Sequence, residues 1–126
     1  MNKRRTGAEW EKQAAEYLTE RGMRIVEKNF RSRQGEIDLI GYHQGYLVFV
    51  EVKYRHTAEK GHALEAVDTR KQYRICRAAD YYRYLHRMKT NAAVRYDVVG
   101  IQDGEICWLQ NAFPHCYAKV SRSAGI

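Results

Sequence analysis

The chain has 126 residues, enough for one domain with a single core, and carries 22 Lys and Arg against 15 Asp and Glu, a net charge of +7. No segment approaches the roughly 18 apolar residues of a membrane span, and no apolar run follows the basic start, so neither a membrane anchor nor a signal peptide is expected. The three cysteines (Cys76, Cys107, Cys116) are odd in number and lack Cys-x-x-Cys spacing, which argues against a disulfide framework or zinc site and fits buried free thiols in a reducing cytoplasm.

Residues 1–6, with Lys3-Arg4-Arg5, read as a basic N-terminal arm. Thr6-Gly7-Ala8-Glu9 has the form of a capping box, so a first helix is expected to start there and to end at Gly22. Glu11, Ala14, Ala15 and Leu18 fall on one face of that helix, which places Glu11 within the apolar stripe. Either it is an edge residue paired with an Arg, or it is a carboxylate with work to do in the interior. A strand is expected over Met23–Phe30, centred on Ile25 and Val26, followed by the polar connection Arg31-Ser32-Arg33-Gln34-Gly35, whose Arg31 and Arg33 could hold phosphates.

Next come two apolar runs, Ile37 to Tyr42 and Tyr46 to Val52, joined by His43-Gln44-Gly45, a β-hairpin pattern. The second run is almost continuously apolar, as a central strand buried on both faces would be. Yet Asp38, Glu51 and Lys53 sit within or at the end of these runs, and buried charge is costly unless paired or bound to metal. With a three-residue turn Tyr42 would face Tyr46, and Asp38 would fall opposite Val50 or Glu51. A bulge at Gly45 would decide between them. Glu51 and Lys53, two apart, point the same way. Hard carboxylate oxygens suit Mg²⁺ or Mn²⁺, and Lys53 adds a point positive charge beside them.

Beyond the hairpin, Tyr54 to Gly61 reads as a polar loop, and neither His56 within it nor His62 just after it receives a role. Asp68 or Thr69 caps a second helix reaching about Lys89, with Gln72, Ile75, Cys76, Ala79 and Tyr82 on its inner face. Between Arg70 and Lys89 seven cations stand against Asp80 alone, nearly the whole net charge of the chain. Arg70, Arg74 and Arg77 form a stripe suited to a phosphate backbone, and Tyr73, Tyr81 and Tyr84 offer rings for stacking. Ala93 to Ile101, the turn Gln102-Asp103-Gly104 and Glu105 to Gln110 complete a second hairpin, in which Asp97 is expected to pair with an Arg or cap a backbone group. The domain is expected over residues 7–114 and a flexible tail over 115–126.

A lone Glu-x-Lys arises by chance in about half of chains this long. Here Glu51-Val52-Lys53 ends an apolar strand and follows Asp38 on the preceding one, and this combination resembles the PD-(D/E)xK signature of restriction-endonuclease-like nucleases. Gly35-Glu36-Ile37-Asp38-Leu39-Ile40 with Val48-Phe49-Val50-Glu51-Val52-Lys53 resembles the YraN family of small bacterial predicted endonucleases, over Gly7 to Phe113. Ile37 replaces the Pro of the broad signature but matches the family's own Gly-Glu-Ile-Asp. The resemblance implies a single-domain α/β fold of the restriction-endonuclease-like kind, with a mixed sheet flanked by helices. It also implies a Mg²⁺- or Mn²⁺-dependent endonuclease whose metal ligands are Asp38 and Glu51, with Lys53 orienting the attacking water or offsetting charge on a phosphate oxygen. Similar acidic positions in related nucleases suggest Glu11 as a third carboxylate.

Lys71 and Gln72, at the start of the second helix, are candidates for positioning water or phosphate. The expected partner is nucleic acid, DNA ahead of RNA, with structured or branched DNA among the options and no membrane partner. Resemblance to junction resolvases adds, by analogy, a homodimer as an option. The competing reading is a nucleic-acid-binding module that keeps the fold without catalysis.

Overall fold

The computed structural model describes residues 7–55, 67–89 and 91–119. In chain order the elements are α1 (Gly7–Glu20), β1 (Arg24–Arg31), β2 (Glu36–His43), β3 (Tyr46–Arg55), α2 (Thr69–Leu85), β4 (Val94–Gln102) and β5 (Glu105–Leu109). The five strands form one sheet in the order β1-β2-β3-β4-β5, antiparallel throughout except for the parallel pair β3–β4. A parallel pair needs a crossover, and the segment holding α2 supplies it. The expected mixed sheet with helices against it is the observed fold.

Each face of the sheet has its own core. Ile75, Cys76, Ala78, Ala79 and Tyr82 of α2 pack with Ile40, Leu47, Phe49, Tyr96 and Val98. Ala14, Ala15 and Leu18 of α1 pack with Leu39, Val48, Val50, Val99 and Ile101. Alternation along β3 thus sends Phe49 to the α2 side and Val48 and Val50 to the α1 side, which is why the run carries no polar residue until Glu51. Stacking of Trp10 on Tyr54, with centroids 4.0 Å apart, pins the start of α1 to the far end of β3.

Several local expectations change. The β2–β3 turn has two residues, Gln44 and Gly45, both at positive φ (52° and 83°), the pattern of a type I′ hairpin. Tyr42 therefore pairs with Leu47 rather than Tyr46, and no bulge at Gly45 is involved. The register shift lies instead in β1, between Ile25 and Glu27, where Val26 turns outward to 39% exposure. Strand β3 continues through Tyr54 to Arg55, beyond the expected loop start, because β4 pairs with it along its whole length. Helix α2 ends at Leu85, four residues short of Lys89, with His86 as its C-cap. Cys76 is buried as expected, but Cys107 is exposed on β5. The capping role of Thr6, together with His56 and His62, lies outside the described residues.

The segment after Pro114 does not fray at once. His115 Nδ1 is 2.6 Å from the Tyr96 hydroxyl, and the Cys116 amide donates to Cys76 Sγ at 3.2 Å. Arg77 donates to the Cys116 carbonyl, and the Lys119 amide donates to the Tyr73 hydroxyl at 3.2 Å. Residues 115–119, assigned from sequence to the tail, form a strap along α2.

Candidate active site

Register brings the two acids together. The β2–β3 ladder runs to Leu39 opposite Val50, and one step further sets Asp38 beside Glu51. Beyond that point the strands part, and Asp38 Oδ2 accepts the Val52 amide at 2.8 Å. The sequence had left Val50 or Glu51 as the partner of Asp38. The two-residue turn is what selects Glu51, since the sum of paired positions is fixed by the loop length.

Burial makes this pair electrostatically tense. Glu51 is only 4% exposed. Burial, followed by the charge of Glu51, pushes the Asp38 carboxyl up to about 8, although the Val52 amide works the other way. Glu51 is held by two cations, Lys71 Nζ at 2.8 Å and Lys53 Nζ at 3.4 Å. The first of these lysines comes from α2, where Asp68 caps the helix by accepting the Lys71 amide at 2.8 Å and so fixes the turn from which Lys71 reaches across. Burial opposes its charge, but the hydrogen bond and charge of Glu51 outweigh that and raise its pKa. Lys53 moves the opposite way: burial, aided by the neighbouring Lys71, lowers its pKa despite Glu51. The two lysines are therefore not equivalent.

Glu11 stands nearby without joining the pair. Its carboxyl is pushed up by burial and by the charges of Glu51 and Glu36, while the Asn29 side chain opposes the shift. Its Oε1 is buried without a hydrogen-bond partner, an arrangement that costs energy unless something outside the chain satisfies it. Among the described residues no three His, Cys, Asp or Glu side chains converge closely enough to ligate one ion. Asp38 and Glu51 thus form a two-carboxylate site with Glu11 at its margin.

The remaining predicted residues scatter. Arg70 and Arg74 are exposed on one face of α2. Arg77 is not with them: its side chain is 12% exposed and is engaged by Asp80 at 2.9 Å and by the Cys116 carbonyl. Gln72 Nε2 donates to the Val67 carbonyl at 3.1 Å, which serves the helix start rather than the acids. Arg31 and Arg33 are exposed, Arg31 lying 3.8 Å from Glu36. An ideal Cβ at Gly35 would sit 3.0 Å from the Arg74 carbonyl, so the loop bearing these arginines lies directly against α2. Asp97 pairs with Arg95 at 2.8 Å and accepts from Trp108 and the Asn111 amide, as expected of a structural acid. Sequence reasoning missed the bond from Lys71 to Glu51. Its only sequence signal was a lysine three residues past a capping Asp.

A mixed five-stranded sheet with a helix on each face and an acid–lysine cluster at the end of its central strand defines an α/β domain consistent with the restriction-endonuclease-like fold. Among the described residues no helix is long and apolar enough to cross a membrane. The chain belongs to the uncharacterised protein family UPF0102, whose model matches residues 10–101; this is the YraN-like family that the motif resembles. It is 46% identical over 113 residues to a UPF0102 protein of Lachnoclostridium phytofermentans, covering 90% of this chain and 96% of that one. A UPF0102 protein of Alcanivorax borkumensis is 44% identical over 117 residues, covering 89% and 94%. One from Coxiella burnetii is 43% identical over 103 residues, covering 81% and 86%.

Proposed function

We propose that this protein is a divalent-metal-dependent nuclease that hydrolyses phosphodiester bonds, with DNA as its substrate and the cytoplasm as its place of work. The observation that carries the reading is the juxtaposition of Asp38 and Glu51 at the end of a buried strand, with Lys53 beside them. Two carboxyls forced together under burial, one pushed up to about 8, and a third with an orphaned oxygen are the donor chemistry that a hard cation relieves. Asp38 and Glu51 would hold Mg²⁺ or Mn²⁺, with Glu11 contributing from the margin. When bound, such an ion lowers the pKa of water and offsets charge on the scissile phosphate.

The chain's own groups supply the rest. Lys53, a cation 3.4 Å from Glu51, is positioned to orient the attacking water by donating to it or to offset charge on a phosphate oxygen. Lys71 holds Glu51 in place and is positioned to neutralise a phosphate oxygen once Glu51 turns to a cation. Arg70 and Arg74, one helical turn apart on α2, offer exposed positive charge.

A second reading has an observation in its favour. Glu51 is already compensated by two lysines, as it would be in a nucleic-acid-binding module that has kept the fold without catalysis. Cleavage of labelled duplex, single-stranded and four-way-junction DNA in Mg²⁺ and Mn²⁺ separates the two. The nuclease reading expects cleavage by the wild type and none by Asp38→Asn, with binding in Ca²⁺ retained by both. Binding of DNA without cleavage of any substrate would establish the module instead.

A further inference from the structure

The strap creates a surface that neither the acids nor the helix alone would have. It lies along α2 with His115 turned inward to Tyr96 and Tyr117 turned out, 82% exposed. The Tyr117 ring is not loose, for its face or edge meets His115 with centroids 4.7 Å apart and planes at 86°. On one side of it runs a groove of about 700 Å³ lined by Arg70, Tyr73, Arg74, Cys116, Tyr117 and Lys119, among others. No carboxylate of the described residues lines it, whereas the groove on the other side of Tyr117 includes Asp80. Lys119 lies along the Tyr73 ring, its Nζ 5.3 Å from the centroid, so its ammonium is held at the groove. Arg70 is the chain neighbour of Lys71, whose Nζ lies 2.8 Å from Glu51, so the groove and the acids share the first turn of α2.

An exposed ring beside three cations complements an anion that also carries a flat apolar face. A continuous duplex offers phosphates but keeps its base faces stacked on one another, out of reach of a surface ring. An unpaired strand offers both, and base–aromatic stacking is the recurrent means of holding it. We propose that this groove binds single-stranded DNA, with phosphates on Arg70, Arg74 and Lys119 and a base stacked on Tyr117. The inference rests on the reading of this protein as a nucleic-acid enzyme and names its substrate class: DNA with an unpaired strand next to the site, such as an overhang or flap.

The test is fluorescence anisotropy on the full chain without Mg²⁺ or Mn²⁺, so that no cleavage is involved. The probes are a labelled single-stranded oligodeoxynucleotide, the matching oligoribonucleotide, a blunt duplex, and that duplex with a single-stranded tail. Tyr117→Ala is expected to weaken binding of the single strand and the tailed duplex on the order of tenfold. Tyr117→Phe should bind like the wild type, and the blunt duplex should be indifferent to both. Arg70→Ala, Arg74→Ala and Lys119→Ala should each lower the salt slope by about 0.7 on single strands.

Unchanged single-strand affinity in Tyr117→Ala, or an equal loss on blunt duplex, would overturn the proposal. Tighter binding of the RNA than of the DNA would overturn the choice of DNA. A protein that binds single strands through Tyr117 but cleaves nothing would refute only the catalytic reading. One that cleaves through Asp38 with Tyr117→Ala unaffected in binding would refute only this one.

Discussion

At the scale of single residues, the centre of this protein is an imbalance between two lysines that share one acid. Lys71 makes the shorter bond to Glu51 and has its pKa raised, while Lys53 makes the longer one and has its pKa lowered. Lys71→Ala is therefore expected to act on stability, on the order of 1–2 kcal/mol, because it strips a buried carboxylate of its nearest counter-ion, with a discount for the partial exposure of Lys71. Lys53→Ala should cost less stability yet reduce cleavage about a hundredfold or more. Urea denaturation and single-turnover cleavage of both variants check the division. Equal effects of the two substitutions on both measurements would show that the lysines are interchangeable counter-ions.

At the scale of elements, close approach and burial set the sensitive points. Gly41 on β2 has no room for a side chain: a Cβ there would meet the Arg24 carbonyl at 2.7 Å and Met23 Cγ at 2.9 Å. Gly41→Ala must push β1 away and is expected to destabilise the fold by about 1–3 kcal/mol or more. Gly7→Ala, whose methyl would meet nothing within 4 Å, is the neutral control in the same chemical denaturation series.

The strap carries a pH dependence. His115 has its pKa lowered by burial and by Arg77 and Arg83, against the pull of Asp80, with the Tyr96 hydroxyl and the Tyr117 ring also facing it. The unfolded chain thus binds this proton more readily than the folded one. Its contribution is fully present above the ordinary histidine value of 6.5 and is lost as pH falls below that and through the lowered folded value. Denaturation midpoints of the wild type should fall relative to His115→Gln on going from pH 7.5 to 5. Parallel curves for the two proteins would mean that His115 is solvated and the strap does not hold it.

At the scale of the whole molecule, two carboxyls are kept together under burial at the end of the central strand, so a cation that lets both ionise is felt by the entire fold. Mn²⁺ is expected to raise the melting temperature of the wild type, and to do so by an amount that grows with its concentration over the dissociation constant. Asp38→Asn removes one ligand and should abolish the shift. Equal Mn²⁺-induced shifts in the two proteins by differential scanning fluorimetry would exclude Asp38 as a ligand.

The sequence by itself determined the element order, the burial of β3 on both faces, a cap of α2 at Asp68 or Thr69 and the suspicion attached to Asp38, Glu51 and Lys53. All of these depend on local periodicity, turn chemistry and the cost of burying charge, which neighbouring residues carry within a few positions of one another. The sequence also showed the surplus of cations on α2, but not which of them face solvent. Only the tertiary structure decided that Asp38 lies beside Glu51, because strand register hangs on one residue of loop length. It alone decided that Lys71 reaches Glu51 across the gap between helix and sheet, that Arg77 is consumed by Asp80 and the strap, and that Tyr117 stands out beside Arg70 and Arg74. Arg77 and Cys116 stand 39 positions apart, and no periodicity records which distant side chains the packing of two helices on one sheet will bring together.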